Sequence, residues 1–502
     1  MNHFSLMTTL ALSSVNESAP ANEAATDDRE RPNDPHGGSR ADCAGQGGAR
    51  VSRFAALACC GVVWLAVFEQ PAQAQDSAAA SAIAQTQSAA PGQVSRAGGS
   101  PELGVTHQIA QVDVERGETV RDRSRPDYEA LGGRVGSFIV YPKVTVGEFY
   151  NDNIFATEDD EVDDFITVIE PTVQVKSDWG RHALSFEGGA EIGLYADESD
   201  ENYQDYFAGA AGRVDVTEAT YLGANGSFQH LHEERGSPDD VRGEEPTEFD
   251  RFGGRLKGFH DLGRVNLTLE GGILRFDFDD VDAAGGEINN DDRDRDRYDG
   301  SLRVGYEIVP EYEAFVRGGY DVIDYDDSED DNGFDRDSEG FGVVGGVKID
   351  FGGLIFGDFF AGYSYRNYDD SDLKTVDGVD VGADFTWNVT PLTTITAGVA
   401  RIIEETTQVD ASGFYATTGT VGVDHELLRN LIVGASGGVE NDNYKGIDRE
   451  DWIYTAGASV DYFLNRHVFM GANYNFRHRN SDVTGIDDYY ENIVGVTVGV
   501  QY

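Results

Sequence analysis

The densest set of residues able to do chemistry lies between Ser328 and Glu339. Asp330, Asn332, Gly333 and Glu339 fall where a calcium-binding loop places its oxygen ligands and its turn glycine. Oxygens at that spacing can wrap a hard divalent cation. Ser328 stands where the first Asp belongs, however, and strand-like sequence flanks the stretch instead of helices. In a chain with 91 Asp and Glu residues, a chance match is the stronger reading, and the expectation is at most loose cation binding by acidic loops. His230 and His232 share a strand parity, but no third ligand accompanies them. The sequence has no nucleotide loop, no zinc spacing and no Gly-x-Ser-x-Gly elbow. No cofactor and no enzymatic activity are expected. An outer-membrane hydrolase would need a Ser/His pair on one lipid-facing patch, and the sequence offers none.

A second set of charges recurs on one parity of alternating segments. Arg213, Arg251, Arg255, Lys257, Arg303, Arg317, Lys348 and Arg366 are the basic members. Glu187, Glu191, Asp380 and Asp384 are prominent among the acidic ones. On a strand, residues of one parity share a face. These charges therefore line a single surface, either as a selective pore lining or as cross-strand ion pairs along a wet wall. The mixed signs on neighbouring segments favour ion pairs for most of them.

The elements that position these charges are strands of about a dozen residues. Leu184, Phe186, Ala190, Ile192 and Leu194 oppose Ser185, Glu187, Gly189 and Glu191. Val379, Val381, Ala383, Phe385, Trp387 and Val389 oppose Asp380, Asp384, Thr386 and Asn388. The final stretch is the clearest. Val494, Val496, Val498, Val500 and Tyr502 fall on one parity, with Gly495, Thr497, Gly499 and Gln501 on the other. An apolar face, a small or polar face and a terminal aromatic fit a transmembrane barrel strand. They also resemble the signal read by the outer-membrane assembly machinery.

Two kinds of connection alternate along the chain. Short ones include Thr217-Glu218-Ala219-Thr220, Val309-Pro310-Glu311 and Phe351-Gly352-Gly353, and they recur about every 40 residues. Long acidic ones include Asp159 to Asp164, Glu233 to Glu248, Asp279 to Asp296, Asp324 to Glu339 and Asp442 to Asp451. The expected fold is all-β: a transmembrane antiparallel up-and-down barrel with short periplasmic turns and long extracellular loops. Counting from Val140 gives about 18 strands, or 16 if the first segment, which carries Pro142, is partial. Trp387, Trp452 and Tyr462 are expected in the interfacial girdles.

Composition agrees. Gly numbers 61, Tyr 23 and Phe 27, whereas Met numbers 3. Hydrophobic content is 39%, low for a helical membrane protein but natural where half of each strand faces water. The net charge of −53 argues against nucleic acid as a partner. Cys43, Cys59 and Cys60 all precede residue 75, so a processed chain would carry no disulfide.

Four segments are expected. Residues 1–49 are polar and read either as an unusually long leader or as an over-extended gene model, with translation starting near Val51. Residues 50–74 read as a signal peptide: Arg50 and Arg53, the apolar core Phe54 to Phe68, then Ala72-Gln73-Ala74. Residues 75–133 read as a flexible periplasmic arm. Residues 134–502 are the barrel.

Several stretches resemble the putative β-barrel porin 2 family of Gram-negative outer membranes. They are Arg125-Pro126-Asp127-Tyr128, Tyr150-Asn151-Asp152-Asn153-Ile154-Phe155, Ser177-Asp178-Trp179-Gly180-Arg181-His182, Leu231 through Asp240 and Glu245-Pro246-Thr247-Glu248. The resemblance covers about residues 120–502 and implies an outer-membrane location after secretion across the inner membrane. Part of that family is associated with exopolysaccharide gene clusters, and the resemblance brings no catalytic motif. The resulting expectation is a porin-like channel for export or passage of a polysaccharide or other hydrophilic solute. The alternative is a structural or surface-interaction barrel with a plugged lumen and cation-binding acidic loops. Expected partners are outer-membrane lipid and lipopolysaccharide, the barrel assembly machinery and periplasmic polysaccharide-export components.

The cleavage motif yields the first test. Mature protein should begin at Gln75, as amino-terminal sequencing of membrane-extracted protein would show. Finding residues 1–49 on that protein would overturn the assignment.

Overall fold

The computed structural model describes residues 117–283, 285–483 and 488–502. The leader and signal-peptide assignments lie outside the described residues. A short strand, Gly133–Val135 (β1), precedes eighteen long ones. These are Phe138–Asn151 (β2), Asp164–Ser177 (β3), Ala183–Tyr195 (β4), Tyr203–Thr217 (β5), Thr220–His232 (β6), Glu248–Asp261 (β7), Val265–Phe278 (β8), Arg295–Val309 (β9) and Tyr312–Tyr325 (β10). Then come Ser338–Asp350 (β11), Ile355–Tyr368 (β12), Val376–Thr390 (β13), Thr393–Glu404 (β14), Gly413–Leu428 (β15), Leu431–Lys445 (β16), Glu450–Asn465 (β17), Val468–Ser481 (β18) and Tyr489–Gln501 (β19).

Each long strand pairs antiparallel with the next, and β19 pairs with β2 from Ile493↔Asn151 to Gln501↔Lys143. The sheet closes into an 18-strand barrel, so its backbone donors and acceptors find partners around the ring. The strand beginning at Phe138 is complete, which decides between eighteen and sixteen. Pro142 is tolerated because of its place. The Tyr502 N–H donates to the Pro142 carbonyl at 3.2 Å, and the bond that proline cannot return falls where the β19 ladder ends. Beyond that point β1 takes over the same edge of β2, pairing Gly133 with Val140.

The two faces follow from parity. On β19, Val494, Val496, Val498 and Val500 are 47–59% exposed, and this is the lipid-facing parity. Ile493, Gly495 and Gly499 on the other parity are buried. Residues directly paired across a ladder share a face, so the register carries the lumen-facing parity round the ring from Thr497 through Gly471 and onward. Strands of 12 to 16 residues exceed the roughly 9–11 needed to span a bilayer. The surplus is hydrogen-bonded sheet beyond the hydrocarbon. Trp387, Trp452 and Tyr462 are exposed outward near strand ends.

Connections at one end are turns, such as residues 218–219 and 310–311; at the other end they include residues 233–247 and 279–294. By the usual layout the short end is periplasmic. One expected loop is absent. The stretch Asp442 to Asp451 is mostly ladder, with Asp442↔Asp451 and Asn443↔Glu450 paired. Backbone pairing is indifferent to side-chain polarity, so an acidic run can remain strand where the partner strand continues. Only residues 446–449 turn there. Gly446 sits at φ +110, and a Cβ would meet the Asp410 carbonyl oxygen at 2.0 Å, so glycine is required.

The face assignment is tested by two arginines. Val498→Arg puts a charge on the lipid face, at about 2–4 kcal/mol near the midplane. Thr497→Arg points into the lumen. Loss of heat-modifiable, membrane-inserted protein is expected for the first and near-normal insertion for the second; equal tolerance would refute the assignment.

Candidate functional site

The structure places the charged positions named from sequence on the lumen-facing parity. Arg213 pairs with Asp215 at 2.8 Å and lies over the Tyr221 ring at 4.0 Å. Arg251 donates to Gln229 at 2.9 Å. Lys257 meets Glu270 at 3.1 Å, and Arg303 pairs with Glu313. Arg317 lies over the Phe360 ring at 5.2 Å. Glu191 accepts the Tyr203 hydroxyl at 2.7 Å. Across the ladders, Glu187 stands beside Gln174, Lys348 beside Asp358, and Asp384 beside the same Asp358. Asp380 lies beside Gly362. Among the basic members, ion pairs between strands thus engage Arg255, Lys257, Arg303 and Arg366, whereas Arg213 pairs within its own strand.

Two of the pairs reach over an intervening strand. Arg255 on β7 binds Asp299 on β9 at 2.8 and 2.9 Å, passing over Gly272 of β8. Arg366 on β12 binds Asp321 on β10, passing over Gly340 of β11. A Cβ on Gly272 would lie 2.7 Å from Asp299, and one on Gly340 would lie 2.5 Å from Asp321. Glycine leaves the notch through which the ion pair passes. Arg366 also meets Glu405 at 3.2 Å, and all three charged side chains are buried.

The extracellular half of the lumen is crossed by residues 233–247. Glu233 is buried and receives both Arg293 guanidinium nitrogens, at 2.9 and 3.0 Å. Arg235 binds Glu201 through Nε at 2.8 Å. Asp239 accepts the Thr406 hydroxyl at 2.6 Å. Thr406 lies between β14 and β15, halfway round the ring from β6. Arg479 of β18 donates to the Gly236 carbonyl at 3.3 Å. Burial pushes the Asp240 carboxyl up to about 6, against the pull of the Arg242 N–H and the Arg235 guanidinium. Sequence had marked this stretch by its resemblance but gave no sign that it folds inward. Its salt partners lie far away along the chain.

The calcium-like spacing is not assembled. The Asp330 carboxylate accepts the Asn332 and Phe334 N–H groups at 2.9 Å and the Arg336 Nε at 2.6 Å. Arg336 in turn binds the Thr406 and Ala411 carbonyls at 2.6 and 2.9 Å. Glu339 stands on β11 at the lipid-facing parity, beside Val322 and Asn367. Strand periodicity, continuing into Glu339, turns it away from Asp330. Among the described residues no group of three His, Cys, Asp or Glu side chains is arranged to hold a metal ion. His230 meets Asp250 at 2.8 Å, whereas His232 meets Asp205 at 2.9 Å and stacks on Tyr203.

The periplasmic mouth holds a further feature. Residues 117–132, within the stretch read as a flexible arm, bind the inner wall. The Val120 N–H donates to Thr394 Oγ1 at 2.9 Å. Arg121 reaches Asp424 at 2.8 Å and Asp461 at 3.0 Å. Arg123 and Arg125 converge on Glu426 at 3.7 and 3.0 Å. Arg429 and Arg466, at the turns, donate to the Ser124 and Pro126 carbonyls. The available signal was the alternation Arg121, Arg123, Arg125 in an otherwise acidic chain.

Comparison with known proteins adds the following. The family model described as putative beta-barrel porin 2 matches residues 125–502. No curated protein matches the sequence. Among solved structures from Pseudomonas aeruginosa, OpdO is 16% identical with a TM-score of 0.40, covering 73% of this chain and 98% of its own. OpdK solved with vanillate is 12% identical with a TM-score of 0.38, covering 72% and 99%. OccK2 (OpdF) is 11% identical with a TM-score of 0.41, covering 72% and 98%.

The notch geometry makes a paired prediction. Gly340→Ala should push Asp321 and Arg366 apart, leaving buried charge uncompensated at a cost approaching about 3–5 kcal/mol. Gly342→Ala, on the same face two residues away, meets nothing closer than 3.8 Å and should be near neutral. Urea unfolding of bilayer-inserted protein compares the two. Equal stabilities would mean that the crossing pair contributes little.

Proposed function

We propose, from the premise that this chain belongs to the putative beta-barrel porin 2 family, that its barrel conducts hydrophilic solutes and serves the export or passage of a polysaccharide. The protein is a porin-like outer-membrane β-barrel, and the family points to a channel instead of an enzyme. The finer reading is supported by the chemistry of the lumen wall. Carboxylates, guanidinium groups and amides line it, and between them aromatic rings lie against glycines. Phe469 lies on Gly499, Phe360 on Gly382 and Phe207 on Gly189, where an added Cβ would fall within 2.9 Å of ring carbons. All three rings are half-buried. Half-buried rings on the lumen-facing parity leave apolar surface beside the lumen, where the C–H face of a sugar can stack. Charged and amide groups beside it can bind the sugar hydroxyls. Arg317, 5.2 Å from the Phe360 ring centre, is one such neighbour.

The partners that fit this reading are lipopolysaccharide around the rim and periplasmic export components at the mouth. The assembly machinery would read the terminal strand through Val494, Val496, Val498, Val500 and Tyr502. A second reading, a plugged structural barrel, is favoured by the loop that crosses the lumen from Glu233 to Thr406.

Planar-bilayer recording separates the two. Stepwise conductance is expected, with transient block by added oligosaccharide. The double substitution Phe360→Ala with Phe469→Ala should weaken that block about tenfold, equivalent to about 1.4 kcal/mol. Silent bilayers containing folded protein would favour the plugged barrel. Conductance with no oligosaccharide block would leave a channel for other solutes.

A further inference from the structure

The charges of the lumen wall are unevenly distributed. On β7 to β12 basic and acidic side chains alternate and pair across strands. On β13 to β17 the lumen-facing parity carries Asp384, Glu440, Asp424, Glu426 and Asp461, among other acids, and no Lys or Arg. Arg401, the one basic residue within β13 or β14, falls on the opposite parity, beside Val381. A wall of one sign would draw cations and repel anions.

Three counter-charges at the mouth come from the arm, beside Arg429 of the β15–β16 turn, which meets Glu426 at 3.4 Å. Arg121 spans Asp424 on β15 and Asp461 on β17, passing over Gly434 of β16, and also donates to Ser459 Oγ at 3.3 Å. A Cβ on Gly434 would lie 3.1 Å from the Arg121 guanidinium and 3.0 Å from Asp424, so this notch repeats the device seen in the wall itself. Arg125 binds Glu426 and the carbonyls of Val120 and Arg123, and it is buried. Planar guanidinium groups suit such shared carboxylate contacts better than lysine would.

We infer that Arg121, Arg123 and Arg125 are specificity-determining residues of the channel: seated in the mouth, they cancel the acidic arc of β15 and β17 and set the charge preference of the periplasmic entrance. The inference rests on the channel reading above. It follows from position. The three guanidinium groups stand at the wall within a few ångströms of the carboxylates they neutralise, well inside the screening length of about 8–10 Å at moderate salt. Removing them restores the wall's negative charge without altering a barrel strand.

The test is the reversal potential of the full-length protein in planar bilayers across a potassium chloride gradient. The triple substitution Arg121→Gln, Arg123→Gln, Arg125→Gln should shift it toward the potassium equilibrium value. The substitution Asp424→Asn with Asp461→Asn removes the opposing charges and should shift it toward chloride. Arg134→Gln, which breaks an exposed pair between β1 and Asp178 at the end of β3, should leave it unchanged. If the triple variant does not insert, Arg121→Gln alone must give the same direction of shift. Normal conductance with an unmoved reversal potential overturns this inference while the channel reading stands. No conductance from any folded variant overturns both.

Discussion

Closure of the backbone ladder is the constraint on which the rest of this structure depends. Within hydrocarbon an unpaired N–H or C=O costs several kcal/mol, so a sheet must end by meeting its own beginning. Here the closing contact is β19 against β2, and it is shorter than the strands on either side would allow. The remainder of the β2 edge is taken by β1, a three-residue strand folded back from just upstream. Tyr502 and Pro142 mark the handover. One ends the ladder, and the other lacks the donor the ladder would have used.

Closure imposes a second condition. A ring of eighteen strands encloses more than side chains from the wall can fill, so the lumen must be wet, occupied, or both. This chain uses charge to manage a wet wall. Its ion pairs join adjacent strands where side chains suffice, and strands two apart where glycine leaves a notch. Burial makes such pairs costly to break once formed. The same conditions explain why the loop from Glu233 can cross the lumen: Glu233 meets Arg293, Arg235 meets Glu201 and the Gly236 carbonyl accepts from Arg479, in places already shielded from bulk water.

The arm at the mouth and the loop at the other end solve related problems with opposite signs. Toward the cell surface, arginines projecting from the strands and loops hold an acidic crossing segment. Toward the periplasm, an acidic wall holds a basic one. Each segment supplies the charge that its part of the wall lacks, and each is outside the regular ladder. Changes in either can therefore alter passage without disturbing closure.

The period-two alternation determined the fold class and the lumen parity and narrowed the strand count to eighteen or sixteen, because a strand's face depends on residues two apart and its partner is the next segment along the chain. Val494 to Tyr502 showed its faces without any tertiary information, and Arg255 or Asp384 could be assigned to a wall on the same ground. What the alternation could not show was which residue each charge meets. Arg255 and Asp299, or Arg366 and Asp321, belong to strands two apart, and their pairing depends on a glycine in the strand between. Nor did it show which loops turn inward. Asp239 meets Thr406 at a separation of 167 residues, and Arg121 meets Asp461 at 340. The spacing from Asp330 to Glu339, weighed from the start as a chance match, is incomplete for a related reason: a local count of ligand positions ignores that Glu339 already belongs to β11 and faces outward. Parity is local and was legible; the occupation of the lumen depends on the closed ring, which brings distant segments within hydrogen-bonding reach.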